Sequence, residues 1–68
     1  MTIGKKIKDL RLKAGLTRRQ LANSVGITEA GLFKIEKDER GPLFETAERI
    51  AEALNISLDT LSNIKSIK

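Results

Sequence analysis

Residues 16–36, with the sequence LTRRQLANSVGITEAGLFKIE, constrain the fold more than any other part of the chain. Thr17 is followed three residues later by Gln20. This pairing predicts a capping box at a helix start, because each side chain can satisfy a backbone N–H that the helix leaves unpaired. Gly26 follows the apolar positions of this helix and favours the left-handed conformation that ends one. Thr28 then repeats the opening made by Thr17. The stretch therefore predicts two short helices joined by a tight turn.

The second of these helices has one face for packing and one for solvent, since successive side chains turn by about 100° per residue. Leu32 and Ile35 lie on the apolar side. The opposite side carries residues of mixed character, namely Glu29, Ala30, Phe33, Lys34 and Lys37. A helix that follows a short turn containing glycine can be set at a steep angle and placed in a groove. We therefore expect the mixed face to be offered to a partner.

This pattern resembles the phage repressor and Cro type of helix-turn-helix domain, also called the Xre family. The segments that carry the resemblance are GLTRRQLANSVGIT, LFKIE and AERIAEALNISLDTL, which follow the family's order and cover most of the 68 residues. The resemblance implies a lambda-repressor-like DNA-binding domain with the helix-turn-helix at helices 2 and 3. We expect residues 1–68 to form this single domain.

Three further patterns complete an all-α chain. Apolar residues recur at helical spacing over residues 3–14 and over residues 47–54, and Ser57 opens a last helix. Leu43 and Phe44 stand where members of the resembled family usually have a capping Ser or Thr, so the start of the fourth helix is predicted to be weakly capped. The expected architecture is a compact bundle of five short helices.

The charge of the chain is unevenly distributed. Residues 1–35 carry eight basic and two acidic side chains, whereas residues 36–68 carry five and seven. A basic half that contains the helix-turn-helix suits a polyanionic partner, although uneven charge is also common in short soluble proteins.

Several function classes are excluded by composition. The chain has no Cys and no His, so the usual zinc ligands and nucleophile–base pairs are missing. We expect no enzymatic activity, no metal, no cofactor and no small-molecule ligand. No apolar run is long enough for a signal peptide or a membrane span, so a cytoplasmic protein without a membrane partner is expected.

The resemblance also implies roles for single residues. Glu29, Ala30 and Lys34 match family positions that read base edges, and Phe33 is added as a candidate because it can contact a thymine methyl. Glu29 equally suits a helix N-terminus as a negative charge. Phosphate contacts are expected around the helix starts, at the end of helix 3 and in the loop after it, from Thr17, Arg18, Arg19, Thr28, Lys37 and Arg40. A solvated basic pair is the alternative for Arg18 and Arg19.

In the resembled family, the residues that match Arg11 and Glu36 form an ion pair between helix 1 and the end of helix 3. We therefore expect this pair here, the alternative being a solvated arginine. Leu58, Ile64 and Ile67 are expected to form a dimer interface, unless the isoleucines only cover the base of the core.

The expected function is that of a sequence-specific double-stranded DNA-binding transcriptional regulator, namely a repressor. It would act as a homodimer on a palindromic operator, with helix 3 in the major groove. The rival is a helix-turn-helix module used for protein–protein interaction, such as an antirepressor or antitoxin-like partner. In that case Phe33 and Glu29 would contact another protein.

Overall fold

The chain is all-α in the computed structural model, which describes residues 2–62. Helices α1 (Ile3–Lys13), α2 (Arg18–Val25), α3 (Glu29–Glu36) and α4 (Phe44–Ala53) have eight residues or more. A short helical segment, α5 (Leu58–Ser62), has five residues. Five residues close little more than one turn. The expected bundle of five helices is therefore corrected to four helices and one additional helical turn.

The capping signals around the tight turn have the predicted geometry. The hydroxyl of Thr17 accepts from the backbone N–H of Gln20 at 3.1 Å, and the Gln20 side chain accepts from the Thr17 N–H at 2.8 Å. The hydroxyl of Thr28 accepts from the N–H of Gly31 at 2.9 Å. Gly26 ends α2 with a φ of 85°. These local bonds fix where α2 and α3 begin, and Gly26 marks where α2 ends.

The start of α4 lacks such a bond, as predicted. Leu43 occupies the cap position, and its side chain makes no cap hydrogen bond. Just after α4, Asn55 takes a positive φ of 60°, a conformation that Asn tolerates at a helix end. The fourth helix is therefore held in place mainly by its buried stripe of Ala47, Ile50 and Ala51.

One core joins all the elements. Ile7, Leu21, Leu32, Ile50 and Leu61 come from five different elements and are fully buried. Helix α2 packs against α3 and α4, while α1 packs against α3 and α5. Complete burial of such side chains stabilises a fold by about 1.5–3 kcal/mol each. This core anchors one side of α3 and leaves its other side at the surface.

The start of α1 is bonded to the second residue after the end of α3, a contact that the sequence did not indicate. Asp38, with a φ of 62°, accepts from the Thr2 hydroxyl at 2.6 Å and from the Gly4 N–H at 3.2 Å. A Cβ on Gly4 would collide with the backbone carbonyl oxygens of Ile35 and Glu36. Only glycine allows α1 to approach α3 this closely.

Candidate nucleic-acid interface

The outer face of α3 carries the candidate base-reading residues. Glu29, Ala30, Phe33, Lys34 and the adjoining Lys37 are all exposed. The inner side of the helix is buried and consists of Leu32, Ile35 and Glu36. The structure thus brings the predicted base-reading residues together on one continuous surface. Glu29 lies in the first helical turn, where the helix dipole also favours a carboxylate.

Phe33 is the only aromatic side chain on this face, and two cations contact its ring. The Arg18 guanidinium carbon lies 4.8 Å from the ring centroid, and the Lys37 Nζ lies 5.3 Å from it. Both distances fall within the range of cation–π attraction. Phe33 is 40% exposed, and contact with the two cations favours one orientation of its ring. This arrangement joins the start of α2 to the outer face of α3.

Glu36 accepts from two arginines. Its Oε2 lies 2.8 Å from Arg11 Nε, which is the ion pair that the resemblance implies, and the two side chains are 2% and 6% exposed. Its Oε1 lies 3.3 Å from Arg18 Nε. Arg11 also donates to the carbonyl oxygen of Leu16 at 3.0 Å, which satisfies a further guanidinium N–H. The second pair was not expected, and it turns Arg18 toward α3 rather than leaving it fully solvated.

The other predicted phosphate contacts fall around the same face. Thr17 and Thr28 are exposed caps of α2 and α3, and Arg19 is exposed at the start of α2. Arg40 lines a cleft of about 210 Å³ together with Thr28. The loop after α3 thus places Arg40 near the beginning of α3.

The predicted dimer residues are only partly described. Leu58 is half-buried and packs against the core, so most of its apolar surface is already used within the protomer. Ile64 and Ile67 lie outside the described residues. Leu43 and Phe44, at the start of α4, are 75% and 68% exposed. They form the most exposed pair of large apolar side chains in the described range.

The described residues provide no cluster of three metal-ligating side chains. Over the same range, none of the helices has the length and apolar character needed to cross a membrane.

Comparison with known proteins connects this geometry to a family. The sequence profile described as "Helix-turn-helix" matches residues 7–61. The transcriptional regulator ImmR of Bacillus subtilis (strain 168) is 34% identical over 61 residues, covering 90% of this chain and 48% of the relative. The immunity repressor protein of Bacillus phage phi105 is 36% identical over 61 residues, covering 90% of this chain and 42% of the relative. The chain therefore spans about half the length of these relatives.

A solved structure shows the same fold. The chain matches the biofilm regulator SinR in complex with DNA with a TM-score of 0.81 and 30% identity, over 87% of this chain and 95% of the other. The relatives' names are those of transcriptional regulators rather than enzymes. Because the profile match extends from α1 to α5, the chain belongs to the helix-turn-helix family of phage repressors and Xre-type regulators.

Proposed function

We propose that this chain is a sequence-specific DNA-binding regulator of transcription that acts as a repressor by placing α3 in the major groove. The observation that carries the proposal is the outer face of α3, where Ala30, Phe33 and Lys34 are exposed above a fully packed inner side. The major groove, about 12 Å wide, admits an α-helix. The repressor name of one relative and the DNA complex of another support this assignment.

Each residue on the outer face has a role that its chemistry allows. Lys34 donates to guanine O6 or N7, and Ala30 contacts a thymine methyl. Phe33 offers its exposed edge to a second thymine methyl, while Arg18 and Lys37 hold the ring. Glu29 accepts from cytosine N4 or serves only the helix dipole.

The flanking residues position the helix by contacting phosphates. Arg19 and Thr17 contact one stretch of backbone at the start of α2, where free N–H groups also favour an anion. Thr28 and Arg40 contact another near the start of α3, and Lys37 a third near its end. Arg18 joins them through the guanidinium edge that Glu36 leaves free, since its side chain is 29% exposed.

Binding-site selection from random duplex DNA tests the proposal directly. Lys34→Ala should relax the preference at one position of the selected site, because one base contact carries about 1–3 kcal/mol of discrimination. Arg19→Ala should weaken binding to every sequence and lower the slope of log K against log salt by about 0.9, since a phosphate contact carries no base information. The two variants are matched, because each removes one exposed cation. If both changed affinity for selected and random DNA by the same ratio, the roles assigned to Lys34 and Arg19 would be wrong.

A protein-binding module is the second candidate, and the exposed Phe33 is the observation that favours it. A 40% exposed aromatic ring at the centre of a surface is a typical anchor of a protein interface. The dependence of binding affinity on salt concentration distinguishes the two functions. DNA binding weakens steeply with added salt through counterion release, whereas an interface centred on Phe33 does not. Selection that enriches no sequence would favour the protein-binding module.

A further inference from the structure

A second basic surface lies beside the outer face of α3, in a cleft of about 290 Å³ between α1 and α3. Its basic lining residues are Lys5 and Lys8 from α1, Arg18 from α2, and Lys37. Lys5 and Lys8 are three residues apart, so they project from the same side of α1. The sequence shows the three-residue spacing of the two lysines, but it does not show that they lie close to α3.

The cleft also has two acidic residues, of which Glu36 is buried and Asp38 is exposed. Glu36 is 2% exposed at its side chain and accepts from Arg11 and Arg18. The two oxygens of Asp38 accept from the Thr2 hydroxyl and the Gly4 N–H. By contrast, Lys5 and Lys8 are exposed, and within residues 2–62 neither has a salt-bridge partner. The lining of the cleft therefore carries four positive charges and two negative ones, and both carboxylates accept hydrogen bonds from within the protein.

We propose that Lys5 and Lys8 form a second phosphate-contacting element, which binds the DNA backbone next to the groove that α3 enters. This inference rests on the proposed function. The cleft is continuous with the candidate interface, because Phe33 and Lys37 belong to both surfaces. DNA that meets α3 consequently brings phosphates close to α1.

The chemistry favours the phosphate backbone over bases. A lysine ammonium is a compact point charge that binds phosphate without demanding a fixed geometry. The aromatic ring of the cleft is already in contact with Arg18 and Lys37, so it is not a free platform for stacking a base. The two lysines would raise affinity for all DNA and orient α1 on the duplex, without adding sequence preference.

The salt dependence of binding to a random-sequence duplex tests the assignment. Lys5→Ala and Lys8→Ala should each lower the slope of log K against log salt by about 0.9, and by about 1.8 together. Lys13→Ala is the matched control, because it removes an exposed lysine from the same helix outside the cleft. Its slope should stay close to that of the wild type. Circular dichroism should show that all four variants keep wild-type helix content.

An independent readout comes from neutralising one phosphate at a time with methylphosphonate linkages. At some positions, neutralising the phosphate should weaken DNA binding by the wild type but not by the Lys5→Ala/Lys8→Ala variant. An unchanged slope in this double variant would overturn the inference while leaving the role of α3 intact. Failure of the wild type to bind DNA at all would overturn the proposed function and this inference together. If the double variant lost binding to polyglutamate but kept its DNA slope, the cleft would belong to an acidic protein, which also overturns the inference.

Discussion

Glu36 is the residue on which three helices depend. It lies at the end of α3, and its carboxylate accepts hydrogen bonds from Arg11 of α1 and Arg18 of α2. An ion pair shielded from water stabilises a fold little more than an apolar contact of the same size would. Removal of one partner, however, leaves a buried charge without compensation, which is strongly destabilising. Arg11 is 5% exposed as a residue, so water cannot replace the lost carboxylate without local opening.

We therefore expect Glu36→Gln to lower the free energy of unfolding by about 3–5 kcal/mol. Glu45→Gln is the control, because Glu45 pairs with Arg49 on the surface at 3.1 Å, with 75% and 55% of the side chains exposed. An exposed pair of this spacing contributes only about 0.3–0.5 kcal/mol. Urea denaturation of both variants provides the measurement. Equal small losses would show that the Glu36 pairs contribute no more than surface pairs.

The resemblance was sufficient to indicate Arg11–Glu36 but not Arg18–Glu36. The first pair follows from matching two positions of a known pattern. The second requires the angle between α2 and α3, which places residues 18 positions apart within hydrogen-bond distance. The exposed face of α3 was predictable because helical periodicity is a local property of the sequence. The contact between Arg18 and Glu36 was not predictable, because it depends on the angle at which two helices cross.

At the scale of the helices, the starts were predictable wherever capping is local. Thr17 and Thr28 bond to groups three residues away, and the sequence shows both partners. The start of α1 has the same local cap, since the Thr2 hydroxyl accepts from the Lys5 N–H at 3.2 Å, but this hydroxyl also donates to Asp38 across 36 residues. No spacing rule connects such positions. The count of five short helices was also wrong, since the segment that Ser57 opens, Leu58–Ser62, has little more than one turn in the described range.

Gly4 determines how closely α1 approaches α3, and its substitution tests this contact. A Cβ would lie 2.6 Å from an oxygen of Asp38 and 2.8 Å from the Glu36 carbonyl oxygen. We expect Gly4→Ala to lower the free energy of unfolding by about 1–3 kcal/mol, as overpacking does elsewhere. Gly41→Ala is the control, because a Cβ there has no neighbour within 4 Å. It should leave stability unchanged or raise it by up to about 1 kcal/mol. Thermal melts in which the two variants coincide would exclude close packing at Gly4.

At the scale of the whole molecule, a single copy offers too little contact for an operator. In the proposed complex one α3 reads only a few base pairs, while a genome presents about 10⁶–10⁹ competing sites. Two-fold symmetry doubles the contact when two copies of α3 are about 34 Å apart, one turn of DNA. The protein is 34 Å along its longest axis, so two copies can lie side by side on one face of the duplex. We expect the interface of such a dimer to lie away from α3.

We expect Ile64 and Ile67 to supply this interface in the more acidic second half of the chain, with Phe44 at its edge. Two aspartates in an apolar interface would remain unpaired, which is costly. Ile64→Asp combined with Ile67→Asp should therefore convert dimer to monomer and weaken binding to a symmetric site, with helix content preserved. Phe44→Asp is the comparison variant, because it adds one aspartate at an exposed apolar position within the described residues, and it should weaken the dimer less. Light scattering on protein alone and on the DNA complex measures the oligomeric state. A wild type that stays monomeric on symmetric DNA would show that there is no dimer. A double variant that stays dimeric would place the contact between copies elsewhere, because the two isoleucines would then have no part in assembly.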